Sequence, residues 1–217
     1  MVKHSKITKV FQLSLVIIFI LVLLGLFVPQ QFQNISFYLK NLLTTSVGWF
    51  YLLLVTGILI FCVFLIVSPI GQIRLGNPTS RPEHSTTSWI AMMFSAGMGI
   101  GLVFYGAAEP LSHFAISTPN AEIGSADALA DAFRFTFFHW GFHAWAVYAL
   151  VGLSLAYFGF RKREKYQLSV VFKPLFGKYA DGPIATIIDT ITIIATVIGV
   201  ATTLGFGASQ INGGLSY

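Results

Sequence analysis

From residue 88 to residue 108 the chain carries no charged side chain, yet Gly97, Gly99 and Gly101 sit at the centre of that run and Gly106 follows. The length fits a membrane crossing, which takes about 20 apolar residues for a hydrocarbon core of roughly 30 Å. The glycines do not fit an ordinary crossing. Each weakens a helix by about 1 kcal/mol relative to alanine. Glycines two apart point to different sides of a helix, so one packing face cannot hold all three. The span is a candidate for a helix that unwinds at its midpoint. Backbone released inside a membrane must be satisfied by protein, water or ligand, so such a break lines a cavity and does not face lipid. The competing reading is a helix-packing face built on the Gly97–Gly101 spacing. A phosphate-binding loop is set aside, because GMGIG lacks the G-x-G-x-x-G pattern and its strand–turn–helix context.

The surrounding sequence is that of an all-α polytopic membrane protein. Hydrophobic residues make up 55% of the chain and charged residues 10%, against about 25% charged in a soluble domain. The single cysteine, Cys62, lies in an apolar run, which excludes a disulfide framework or a cysteine metal site. Five spans are expected: residues 10–28, 47–67, 88–108, 133–160 and 183–206. The first is too long for a signal peptide and lacks a small-residue cleavage site. Residues 30–46 read as a polar connection. Residues 109–131 read as an acidic segment long enough for a short surface helix. With the N-terminus inside, eleven of the thirteen Lys and Arg residues fall on the cytoplasmic side, leaving Lys40 and Arg134 outside. That asymmetry selects a cytoplasmic N-terminus. The net charge of +5 therefore reflects topology and not a nucleic-acid partner.

The fourth span carries aromatic residues in a suggestive order. At about 100° per residue, with Trp140 at zero, Phe137 falls near 60°, Tyr148 near 80° and Trp145 near 140°. Aromatic faces grouped this way are the usual receptor for a quaternary ammonium cation, which has no N–H to donate and keeps its charge at any pH. An interfacial aromatic belt is the plainer explanation, but Trp145 and Tyr148 lie deeper in the span than a headgroup layer. His139 and His143 have the i,i+4 spacing of metal ligands. They fall away from the aromatic arc and no acidic residue accompanies them in the span, so packing or a hydrogen bond to a neighbouring helix is expected. In the fifth span Thr192, Thr196, Gly199 and Thr203 form one small-polar face, which interhelical hydrogen bonding and close packing explain. Cation coordination by its oxygens is the sharper alternative. Asp189 is an ionisable group in a span and a functional candidate by default, although it sits near the cytoplasmic end.

MMFSAGMGIGLVFYGAAEPLSH, FHWGFHAWAVYALVGL and IIATVIGVATTLGFGASQI, in this order and spacing, resemble the betaine/choline/carnitine transporter family, and the resemblance covers residues 49–217. It implies a LeuT-like fold of two inverted five-helix repeats preceded by two extra helices. On that scheme residues 1–87 are the tail and extra pair, and residues 88–217 are the first three helices of the first repeat. The glycine-broken third span opens that repeat. The second repeat is missing, so a fragment that does not transport alone is expected. The implied function is cation-coupled uptake of a quaternary-ammonium osmoprotectant at the cell membrane by alternating access. Glycine betaine is the first expectation, with choline, carnitine or ectoine as alternatives. Trp140, Trp145 and Tyr148 would hold the ammonium group, and Gly97, Met98, Gly99 and Gly101 would line the same cavity. The coupling ion implied is Na⁺, with H⁺ as the alternative; the resemblance places Thr196 at one ion site and the backbone oxygens near Ser95 and Met98 at another. Val200 stands where sodium-coupled members have a hydroxyl. The family also implies a possible homotrimer, no further cofactor and no enzymatic activity. The readings from other classes are a membrane-embedded metal enzyme using His139 and His143, and a non-transporting membrane subunit.

Overall fold

A computed structural model describes residues 8–97, 99–116, 118 and 121–216. Among the described residues the secondary structure is entirely helical. Among the described residues four helical stretches are long and apolar enough to cross a membrane, or five when a bent pair is counted as one span. The buried apolar residues are small, namely Ala128, Ala132, Ala146, Val170 and Ala180, while large apolar side chains cover the outside. A water-soluble chain buries its large side chains first. This surface is built to meet lipid or other protein.

The helix α1 (Lys9–Phe27) starts where the Thr8 hydroxyl accepts the Phe11 N–H. Helix α2 (Pro29–Val67) follows after one residue, with its proline in the first turn, where the missing N–H costs nothing. It runs unbroken for 39 residues, about 58 Å at 1.5 Å per residue. The polar connection expected over residues 30–46 is therefore helix. Polar residues without glycine or proline do not stop a helix that a neighbouring apolar stretch already nucleates. Ser68 and Pro69 end α2.

Two compact units divide the chain. The first comprises Met1–Asn77 and Val147–Val197. Besides α1 and α2 it holds most of α6 (Phe142–Ala156), the short helices α7 (Leu168–Val171) and α8 (Lys173–Phe176), and the start of α9 (Pro183–Leu215). Its polar loops are tied together. Arg161 donates to the Arg74 carbonyl at 2.8 Å, and Arg163 to Asn77 Oδ1 at 3.3 Å. Lys173 Nζ lies 3.2 Å from Asp181 and 3.3 Å from Glu164. These two carboxylates, Asp181 foremost, hold its pKa above the usual lysine range. Asp189 does not reach for the interface. It is buried, and its carboxylate accepts the Ser169 N–H at 3.0 Å and the Ser169 hydroxyl at 2.8 Å. It thereby satisfies the first turn of α7, where Gln167 offers no side-chain cap. Asp189→Leu would strand both Ser169 donors at a cost of about 1–3 kcal/mol each, whereas Asn keeps one acceptor oxygen. A lower melting temperature in detergent for Asp189→Leu than for Asp189→Asn is expected.

The second unit comprises Pro78–Ala146 and Ile198–Tyr217. It contains α3 (Thr86–Gly97), α4 (Ile100–Ala115) and α5 (Ala126–Trp140). Residues 109–131 form no separate surface helix, for Glu109 lies within α4 and Asp131 within α5. The Ser125 hydroxyl starts α5 by accepting the Ala128 N–H. Asp131, buried near that start, pairs with Arg134 at 2.6 Å. Helices α4 and α5 pack against each other, and the site lies along that contact.

Candidate substrate site

The glycine run breaks the third span. The axes of Thr86–Gly97 and Gly101–Ala115 differ by 49°. Gly99 is extended (φ −71°, ψ 172°), and its carbonyl accepts the N–H groups of Leu102 and Val103. Gly97 ends α3 and Gly101 lies in α4, so the two do not share a helix face. The packing reading needs a continuous helix and is set aside. A Cβ placed on Gly99 or Gly101 would meet open space. A Cβ on Gly97 would lie 3.3 Å from Trp145 Cη2. The end of α3 is thus pressed against an aromatic ring that a larger residue would displace. Met98, expected to line the same cavity, lies outside the described residues.

The fourth span is interrupted as well. Gly141 separates α5 from α6 with extended backbone (φ −86°, ψ −155°), and any Cβ there would run into the carbonyl oxygen of Phe137. A single helical wheel therefore does not describe Trp140 and Trp145, which belong to different helices. They meet through a hydrogen bond instead. Trp145 Nε1–H donates to the Trp140 carbonyl at 3.0 Å. The last carbonyls of a helix lack partners within it, and the indole supplies one.

Trp140 is anchored in turn by its own indole. Nε1–H donates to Glu109 Oε2 at 2.7 Å across the α4–α5 contact. Glu109, near the end of α4, also meets His139 Nδ1 at 2.8 and 2.9 Å and His113 Nε2 at 3.6 Å. His139 thus bonds to a neighbouring helix, as expected. His143 turns to the Phe138 ring, 4.7 Å between centroids. Among the described residues no His, Cys, Asp and Glu cluster is arranged to hold a metal ion. Tyr105 continues the aromatic row, 6.1 Å from Trp140 and 5.2 Å from Phe206, which stacks on Phe104 at 4.9 Å. Glu109, Tyr105 and Phe206 escaped the sequence reading. Only Glu109 gave a signal, as a carboxylate closely following an apolar span.

Tyr148 follows on α6, is exposed, and belongs to the first unit. Thr196 also belongs to that unit, whereas Ser95 lies in α3 of the second. The threonine hydroxyls do not reach across to another helix as expected. Those of Thr192, Thr196 and Thr203 donate to the carbonyls of Ile188, Thr192 and Gly199, one turn back in α9. Each oxygen keeps its acceptor lone pairs. The second unit therefore presents two indole rings beside a broken helix, with their N–H edges engaged. Bound by its edge, an indole offers only its π faces to a ligand, which suits a cation without donors.

The model of the betaine/carnitine/choline family of transporters matches residues 9–217. The chain belongs to this family. The chain is 53% identical over its whole length to the glycine betaine transporter OpuD of Bacillus subtilis, while covering 42% of that relative. It is 44% identical to a glycine betaine transporter of Acinetobacter baylyi, with 96% of the chain and 32% of the relative aligned. It is equally similar, at 44%, to an ectoine/hydroxyectoine transporter of Virgibacillus pantothenticus, with 95% of the chain and 41% of the relative aligned. The chain thus spans less than half the length of these relatives. The family and its relatives are transporters and not enzymes, which removes the metal-enzyme reading of His139 and His143. This family member is a multi-pass membrane protein.

Proposed function

We propose that the chain forms part of a secondary transporter that takes up glycine betaine across the cell membrane, with its N-terminus in the cytoplasm. The observation that carries this reading is the packing of Gly97 on Trp145 and the bond from Trp145 to Trp140. A broken helix and two indoles meet at one place. Trp140, Trp145 and Tyr148 would enclose the trimethylammonium group, while Gly97, Met98, Gly99 and Gly101 would leave room for it and offer backbone oxygens to its surroundings. The glycine betaine transporters of Bacillus subtilis and Acinetobacter baylyi support that substrate. Choline, carnitine and ectoine are its competitors, ectoine on the strength of a third relative.

The wider scheme is a LeuT-like arrangement of inverted repeats working by alternating access. Residues 1–87 supply the tail and two extra helices, and residues 88–217 the first three helices of the first repeat. The 49° break in the third span supports this placement, because discontinuous helices build the binding sites of such transporters. Na⁺ is the proposed coupling ion, with Thr196 assigned to one ion site and the backbone near Ser95 and Met98 to another. The free lone pairs of the Thr196 hydroxyl suit a hard cation. H⁺ is the alternative that Val200 favours, since a valine offers no oxygen. The assembled transporter is proposed as a homotrimer.

The complete reading frame containing this sequence, reconstituted into liposomes, provides the test. Radiolabelled glycine betaine uptake is recorded under an inward Na⁺ gradient, an inward H⁺ gradient or neither. Accumulation under one gradient alone is expected and names the coupling ion. Absence of uptake of betaine, choline, carnitine and ectoine under every gradient would sink the assignment.

A further inference from the structure

We infer that Glu109 is a positioning residue that fixes the Trp140 indole, and through it the aromatic wall of the site. This rests on the reading that Trp140 faces the substrate. Three observations carry it. The Glu109 side chain is 10% exposed, at the packed contact of α4 and α5. Its Oε2 lies 2.7 Å from Trp140 Nε1, the short distance of a charge-assisted bond. Its Oε1 and Oε2 also lie 2.8 and 2.9 Å from His139 Nδ1, so the carboxylate is itself held from the residue next to Trp140. His113, one turn along α4, is the other titratable group on it, at 3.6 Å.

The chemistry explains why a carboxylate stands here. An indole has one polar atom and it only donates. An ionised carboxylate only accepts, and it can take the indole and the imidazole N–H together. Trp140 is the last residue of α5, immediately before the interruption at Gly141. Helix packing alone therefore constrains its ring weakly, and the bond to Glu109 supplies the missing restraint. Trp145 bonds to the Trp140 carbonyl, so the second indole is referred to the same anchor.

The test uses the complete transporter in detergent and reads the indole N–H hydrogen bond by ultraviolet resonance Raman spectroscopy. The Trp140 signal is isolated by subtracting the spectrum of Trp140→Phe. Glu109→Leu is expected to move the Trp140 N–H band to the position of an unbonded indole and to weaken glycine betaine binding about tenfold, within the range one aromatic face contributes. Glu109→Gln keeps the shape and an acceptor oxygen, so it tests the inference even if the leucine variant fails to fold. Its band is expected to move part of the way, because a charged acceptor bonds about twice as strongly as a neutral one. An unchanged Trp140 band in Glu109→Gln would overturn the inference. A shifted band with unchanged betaine affinity in Glu109→Leu would uphold the anchor and overturn the placing of Trp140 at the substrate.

Discussion

Trp145→Leu in the complete transporter is expected to weaken glycine betaine binding about 30-fold. A desolvated cation–π contact contributes about 2 kcal/mol, and every 1.4 kcal/mol is a factor of about ten in affinity. Leucine also removes the indole N–H that bonds the Trp140 carbonyl, so the end of α5 loses its partner. Trp145→Phe separates the two effects. It keeps a π face and abolishes the hydrogen bond, and should recover most of the affinity while lowering the melting temperature. Equilibrium binding of labelled betaine beside a thermal scan reads both. Normal binding by Trp145→Leu would return the aromatic row to a packing role.

The second large effect is expected at Gly97. A methyl group there would lie 3.3 Å from Trp145 Cη2, so alanine asks the ring to give by a few tenths of an ångström. Gly97→Ala should cost about threefold in uptake, a small steric penalty. Gly97→Leu cannot be accommodated without driving the indole away, and a loss of about 100-fold is expected, in line with the 1–3 kcal/mol of an overpacked site. Gly99→Ala and Gly101→Ala are the controls, since a Cβ at either meets open space. Competitive uptake assays across the four variants would test the order. Equal losses at all three glycines would show that backbone flexibility matters here, not room for the ring.

The broken third span was legible because its cause is local. Three glycines within five residues weaken one stretch of helix whatever surrounds it. The break at Gly141 was not, because a lone glycine in an apolar span is more often tolerated than used, and only the Phe137 carbonyl in the folded backbone shows the constraint. The extent of α2 was misjudged for the opposite reason. Gln30, Gln31, Gln33 and Asn34 look like a loop when polarity is taken as the signal, but polarity reports solvent and not helix termination. Glu109 stands thirty-one residues before Trp140, and nothing in the sequence pairs them. Their contact exists because α4 and α5 fold back on each other. The family, in contrast, was legible from three short stretches, and the match over residues 9–217 bears it out.

The mismatch in length between α1 and α2 has a geometric result. At 19 residues, α1 is about 28 Å long and only just crosses the hydrocarbon core. If it is inserted, the first residue of α2 is pinned at the membrane surface one step later. A rod of about 58 Å that stayed wholly within the bilayer would have to fit a layer of about 30 Å, or about 45 Å with headgroups. A straight α2 satisfies that only when inclined by about 40–60° from the normal, well beyond the average of about 20°. It would then cover about 40–50 Å laterally. Held within the bilayer in that way, the helix would act as a diagonal brace and widen the footprint of the first unit.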